Sequence, residues 1–134
     1  MKIVLCRGVF DILHVAHLRH LQEARSMGDY LVVSLTPDFL AEQQKRRPVN
    51  PESERQELLL GLRCVSAVDI CADYKESLEK WKPKIYCKGF DHAKRGFIAG
   101  EVEFCATHGI EIRNTSENPQ STSAIIERIK CTSS

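Results

Sequence analysis

The chain has 134 residues, of which 43% are hydrophobic, and its 19 Lys and Arg nearly balance its 18 Asp and Glu. This length suits one compact domain over residues 1–134, and the apolar content excludes a disordered chain. A formal net charge of +1 argues against a protein that coats nucleic acid, and no apolar run approaches the roughly 18–20 residues that cross a membrane.

The first half of the chain alternates between strand-like and helix-like patterns. Residues 2–6 are short, apolar and β-branched, which predicts a strand. A helical pattern follows from about residue 17, and Gly28 supplies its C-terminal stop. Residues 30–35 predict a second buried strand, and the polar, basic residues 43–49 then predict an exposed loop.

The second half continues this alternation. Asn50 and Pro51 predict a helix start, because Asn caps backbone N–H groups and Pro fits the first helical position. This helix should reach about Leu62, with Arg55 on its charged side. The remaining predicted strands are 67–71, 85–88 and 111–113, and the remaining helices lie near 75–81, near 100–107 and from about 121.

Five strands alternating with helices predict an α/β fold, namely a single Rossmann-like, doubly wound domain with a five-stranded parallel sheet and helices on both faces. In such open sheets, ligands bind beyond the carboxyl ends of the strands, where the winding direction reverses. A binding site is therefore expected among the loops that follow Cys6, Leu35, Lys88 and Arg113.

Six cysteines are the unusual feature of the composition. They form no C-x-x-C pair and several lie in apolar stretches, so we expect reduced, mostly buried thiols, with no metal-ligating set. The first seven residues lack the apolar core and cleavage site of a signal peptide, which predicts a cytoplasmic protein.

The loop after the first strand carries the clearest chemical signal. It contains Gly8, and it places His14 and His17 where the strand gives way to a helix. Helix N-termini attract phosphate, imidazoles can donate hydrogen bonds to its oxygens, and glycine allows a tight turn. Two such donors could stabilise charge that develops on a phosphoryl group. An H-x-x-H pair by itself also fits a helix surface or a metal site.

Longer motifs add a resemblance to a known family. The string G-V-F-D-I-L-H-V-A-H from Gly8 resembles the G-x-F-D-x-x-H-x-G-H signature of the cytidylyltransferase-like nucleotidyltransferases, with Ala16 in place of the motif glycine. Within that family, three later segments are similar to the adenylyltransferase domain of ADP-heptose synthases, and glycerol-3-phosphate cytidylyltransferase is the other near member. These segments are R-P-V-N-P…R at 47–55, K-G-F-D at 88–91 and S-T-S-A-I-I at 121–126.

The resemblance implies an enzyme that transfers an NMP group from an NTP to a phosphorylated small molecule and releases pyrophosphate. ATP and a sugar phosphate are favoured by analogy with the heptose enzyme. The alternatives are CTP with a polyol phosphate such as glycerol 3-phosphate, or a nucleotide-binding module with weak or no catalysis. Mg²⁺ is expected to arrive with the nucleotide, a homodimer or higher homo-oligomer is common in the family, and neither nucleic acid nor membrane is expected as a partner.

The resemblance also implies individual roles. The residues expected to be catalytic are His14, His17 and Lys45. Those expected to bind the nucleotide are Gly8, Val9, Phe10, His14, His17, Lys88, Asp91, Ser121 and Thr122. Those expected to bind the acceptor are Asp11, Arg46 and Arg55.

Several of these residues also fit simpler roles, which the sequence leaves open. Asp91 could cap a turn, Ser121 could cap a helix, and the basic run at 45–47 could be a solvated loop. Arg55 could pair with Glu52 on a helix surface. The histidines outside the motifs are predicted to be surface residues: His20, His92 and His108.

Overall fold

A computed structural model describes residues 1–44, 48–89 and 100–115. Within them, five strands form one parallel sheet: β1 (Ile3–Gly8), β2 (Tyr30–Leu35), β3 (Ala67–Ile70), β4 (Ile85–Lys88) and β5 (Glu111–Asn114). The helices in these residues are α1 (Val15–Ser26), α2 (Asp38–Gln44), α3 (Glu52–Leu60), α4 (Tyr74–Trp81) and α5 (Glu101–Thr107).

The order of the strands across the sheet is β3-β2-β1-β4-β5. The chain winds outward from β1 to β3, then crosses back to place β4 on the free side of β1 and β5 beyond it. Cys6 of β1 lies opposite Val33 of β2 and Cys87 of β4 in register, so β1 is central. The winding direction therefore reverses between β1 and β4, which confirms the predicted doubly wound α/β fold.

The two faces of the sheet bury separate apolar clusters, because successive side chains of a strand point to opposite faces. Val4 and Cys6 of β1 pack with residues of α1 and α3, such as Leu21 and Leu59. Leu5 instead belongs to the cluster on the other face, under α4 and α5: Leu5, Val32, Tyr74, Leu78, Tyr86, Cys105 and Ile110. Helices thus cover both faces, as the alternating pattern predicted.

The segment between β2 and α3 differs from the prediction. The sequence predicted a connection and an exposed loop there, whereas residues 38–44 form α2. Ala41 is buried but Phe39 is 60% exposed, so this short helix has little of the apolar periodicity that reveals a helix in a sequence. The cap of α3 also differs, since its N-cap residue is Pro51, with no side-chain cap.

The described cysteines carry free thiols, and Cys6, Cys87 and Cys105 are buried, as their apolar context predicted. A hydrogen bond with the Cys87 thiol, together with burial, raises the pKa of Cys6 well above its usual value. Both effects keep this thiol protonated. Cys131 lies outside the described residues. None of the helices in the described part of the chain has the length and apolar content that crossing a lipid bilayer requires.

Candidate active site

The loops that follow β1 and β4 leave the sheet next to each other, at the point where the winding reverses. Cys6 and Cys87 are neighbours in register, and their strands end shortly afterwards at Gly8 and Lys88. Because ligands of open α/β sheets bind in the crevice at such a reversal, this edge of the sheet is the candidate site.

Phe10 shapes the loop after β1. Its φ of 48° lies in the left-handed region, which a bulky residue adopts only when its surroundings impose it. Its buried ring lies so close to Gly8 that a Cβ at position 8 would fall 2.9 Å from Phe10 Cε2. Glycine at position 8 therefore lets the aromatic ring close over the end of β1.

His14 and His17, expected to be catalytic, come together at the N-terminus of α1. His14 is the N-cap residue, and its Nδ1 accepts the backbone N–H of Ala16 at 3.1 Å. A ring nitrogen that accepts a hydrogen bond carries no proton, so in the neutral imidazole the proton is on Nε2, which is then a donor. The His14 and His17 rings stack with centroids 4.0 Å apart.

The Phe10 ring fixes one side of this pair. It meets the His17 ring edge-on, with centroids 5.4 Å apart and planes at 68°. Val9 and Gly8 precede it, so the residues expected to line the nucleotide pocket and the two imidazoles belong to one short loop. Ala16, in place of the motif glycine, is buried in the first turn of α1.

Asp11 fastens this loop to the segment before α3. Its carboxylate is 2% exposed and accepts the backbone N–H groups of Val49 and Asn50, each at 2.8 Å. The Asn50 side chain donates in return to the backbone oxygen of Asp11 at 2.9 Å, instead of capping α3 as predicted. These contacts give Asp11 a positioning role, and acceptor binding by Asp11 stays a prediction.

Arg55 is completely buried beneath the same loop. Its guanidinium donates to the backbone oxygens of Asn50 at 3.1 Å, Val9 at 2.8 Å and Thr36 at 2.9 Å, and it forms an ion pair with Asp38. The surface pair with Glu52 is therefore wrong. Arg55 thus holds three segments together, and acceptor binding by Arg55 stays a prediction.

Lys88, expected to bind the nucleotide, ends β4 in a buried ion pair. Its Nζ lies 2.8 Å from Glu101 Oε1, and the two side chains are 2% and 0% exposed. The Tyr86 hydroxyl donates to the other oxygen of Glu101 at 3.1 Å, and burial raises the pKa of Tyr86. Glu101 was not predicted as a partner of Lys88, because in the sequence it is one of several acidic residues near the start of a helix.

Of the three histidines outside the motifs, the two that the structure describes differ in their exposure to solvent. His20 is partly buried, which makes its prediction as a surface residue wrong, and its Nδ1 lies 2.7 Å from Thr115 Oγ1. His108 is exposed, as predicted. The other residues singled out in the sequence lie outside the described residues: Lys45, Arg46, Asp91, His92, Ser121 and Thr122.

Comparisons with known proteins place these features in a family. The model of the family described as Cytidylyltransferase-like matches residues 5–128. The Bifunctional protein HldE of Helicobacter pylori (strain HPAG1) is 38% identical over 98% of this chain, and that of Citrifermentans bemidjiense is 36% identical over 96%. The chain spans 28% and 27% of the length of these relatives.

Solved structures share the fold. The lipopolysaccharide core biosynthesis protein from Thermoplasma volcanium GSS1 superposes with a TM-score of 0.78 at 29% identity, covering 88% of this chain and 98% of that one. A protein of unknown function from Archaeoglobus fulgidus, at 16% identity and a TM-score of 0.69, shares the fold over 91% of this chain and 94% of its own. Because the family model matches nearly the whole length of this chain, the chain belongs to the cytidylyltransferase-like family of nucleotidyltransferases.

Proposed function

We propose that this domain transfers an NMP group from Mg²⁺-bound NTP, with ATP favoured, to a phosphorylated small molecule such as a sugar phosphate, and releases pyrophosphate. The observation that carries the proposal is the stacked pair of imidazoles, His14 and His17, at the N-terminus of a helix that follows the central strand. This is where a parallel sheet binds phosphates, because backbone N–H groups and the helix dipole favour negative charge there.

The proposed reaction is an in-line displacement. An oxygen of the acceptor phosphate forms a bond to the α-phosphorus, the bond from that phosphorus to the bridging oxygen breaks, and pyrophosphate leaves with the electron pair. No covalent intermediate with the protein is required. His14 donates from Nε2, because its Nδ1 is held by the Ala16 N–H. Fixed donors that meet the charge as it develops lower the barrier more than donors that must reorganise.

The preference for ATP and a sugar phosphate depends on sequence segments and relatives. It rests on the R-P-V-N-P and K-G-F-D segments and on the HldE relatives, of which this chain spans about a quarter. A structural relative described as a lipopolysaccharide core biosynthesis protein also favours a sugar as the acceptor. The alternative substrate pair is CTP with a polyol phosphate.

We propose that Mg²⁺ enters as part of the substrate. Across residues 1–44, 48–89 and 100–115, no three His, Cys, Asp or Glu side chains lie close enough together to hold a metal ion. A triphosphate offers its own oxygen ligands, and Mg²⁺ usually keeps several waters. The protein residues then bind and orient the phosphates.

The decisive experiment measures pyrophosphate release for a panel of NTPs combined with sugar phosphates and polyol phosphates. Turnover with ATP and a sugar 1-phosphate is expected. Faster turnover with CTP and glycerol 3-phosphate would support the alternative pair. Micromolar nucleotide binding without turnover of any pair would make the domain a binding module, a result that the buried methyl group of Ala16 at the motif glycine would then help to explain.

A variant pair tests the role of His14. His14→Asn keeps an N-cap acceptor for the Ala16 N–H but removes the Nε2 donor, so kcat should fall about 100–1,000-fold while the helix stays intact. His108→Asn is the matched control, since His108 is exposed at the far end of α5, and its rate should not change. A His14→Asn rate within twofold of the wild type would contradict the assigned role.

A further inference from the structure

His20 contacts the loop after β1 and the residues that directly follow β4 and β5. It lies on α1, six residues beyond the N-cap residue His14. Its ring is parallel to that of Phe10 in the loop after β1, with centroids 6.4 Å apart and planes at 20°. A Cβ built at Gly89, directly after β4, would lie 3.9 Å from His20 Cε1, and the His20 Nδ1 lies 2.7 Å from Thr115 Oγ1, directly after β5.

These contacts use both the flat ring and the polar ring nitrogen of an imidazole. A flat ring can lie beside the Phe10 ring, and a ring nitrogen can bond to the Thr115 hydroxyl, which donates or accepts according to the tautomer. Thr115 is buried, and its backbone N–H donates a hydrogen bond to the Lys88 oxygen at 3.0 Å. This bond fixes the backbone that carries the hydroxyl. The His20–Thr115 bond therefore connects α1 to the residue that follows β5.

The rings extend this connection to the imidazoles of the candidate active site. The rings of His14 and His17 stack, His17 meets the edge of Phe10, and Phe10 lies beside His20. Phe10 has a left-handed backbone, which needs surrounding contacts to persist. His20 supplies one of these contacts, beside the edge-on contact with His17.

We propose that His20 is a positioning residue for the transfer reaction: it joins α1 to the ends of β4 and β5 and holds the Phe10 ring against His17. The proposal rests on the proposed nucleotidyl transfer. His20 does not touch the reacting atoms. Its effect is to keep the imidazoles of His14 and His17 aligned with the carboxyl ends of β4 and β5, and small misalignments of catalytic groups cost large factors in rate.

The test compares variants that remove one contact each. His20→Phe keeps a flat ring beside Phe10 but loses the hydrogen bond, and Thr115→Val loses the same bond from the other side. Each should lower kcat about tenfold while KM for the nucleotide changes less than twofold, because alignment and not binding is lost. Thr115→Ser keeps the hydroxyl and should recover most of the lost rate. His108→Phe, the same replacement at an exposed position, should behave as the wild type.

Two readouts separate this positioning role from a structural one. The double variant His20→Phe/Thr115→Val should lose no more rate than either single variant, because both remove one interaction. The ring NMR signals of His17 in the nucleotide-free protein should shift in both single variants. Folded variants with unchanged kcat, or losses that multiply in the double variant, would overturn the proposal. If the wild type turns over no substrate pair, the proposed function fails, and unchanged His17 signals would then overturn the role of His20 independently.

Discussion

Replacing Arg55 by Leu should destabilise the fold strongly. The change removes every hydrogen bond that the guanidinium donates to the oxygens of Val9, Thr36 and Asn50, and it removes the partner of Asp38. Thr36 is buried, while Val9 and Asn50 are partly exposed, so water can replace only some of these donors. The oxygen of Thr36 therefore loses the most when the guanidinium is removed.

The magnitude follows from these contacts. An unsatisfied buried acceptor such as the Thr36 oxygen costs about 1–3 kcal/mol, and each hydrogen bond lost at the partly exposed Val9 and Asn50 oxygens costs about 0.5–1.5 kcal/mol. The ion pair adds little, because the Asp38 side chain is 41% exposed and can be hydrated. We therefore expect a loss of about 3–5 kcal/mol, which is a large part of the roughly 5–15 kcal/mol that stabilises a typical domain.

Urea denaturation followed by circular dichroism measures this loss. Arg63→Leu is the matched control, because Arg63 is exposed after α3, and its effect should stay within about 0.5 kcal/mol. The predicted acceptor-binding role makes a different forecast, namely a raised KM for the acceptor with little change in stability. A folded Arg55→Leu variant within about 1 kcal/mol of the wild type would refute the reasoning from burial.

Three further predictions concern the loop and the first helix. Gly8→Ala should displace the Phe10 ring, lowering kcat and costing about 1–3 kcal/mol in urea denaturation. Ala16→Gly should lower KM for the nucleotide in the pyrophosphate assay, with a stability cost of about 1 kcal/mol, and an unchanged KM would show that the methyl group is harmless. Burial lowers the pKa of His20 to about 4, against the raising effect of Glu23, so the unfolded chain binds a proton between about pH 6.5 and pH 4 that the folded chain does not. Stability should therefore fall by up to about 3 kcal/mol as the pH drops through this range, and His20→Phe should remove this part of the pH dependence in urea denaturation.

The sequence predicted the sheet well because each strand carries its own local signal. β2 and β4 have the predicted bounds, since a short apolar run between turn residues defines them. The right-handedness of parallel connections leaves few topologies, and the structure shows which strand order the chain adopts. α2 was missed because it buries few side chains and has no apolar stripe.

The site was harder to predict where its contacts join distant parts of the chain. Glycine and histidine spacing revealed the loop at positions 8–17, because that motif is local. Arg55 looks like a surface residue of an acidic helix, yet its partner Val9 lies 46 positions away. His20 and Thr115 are separated by 95 positions, so nothing in the local pattern distinguished this histidine from an exposed one.

The central position of β1 has a consequence for the order in which the strands unfold locally. β1 is paired along its length with β2 and over Val4–Cys6 with β4, whereas β3 and β5 each have a neighbour on one side in the described sheet. Amide hydrogens of β1 should therefore exchange with solvent most slowly, near the rate set by global unfolding, and those of β3 and β5 through smaller local openings. The loop that carries His14 and His17 therefore begins at the strand that opens last. The outer strands can fray while the start of this loop remains folded.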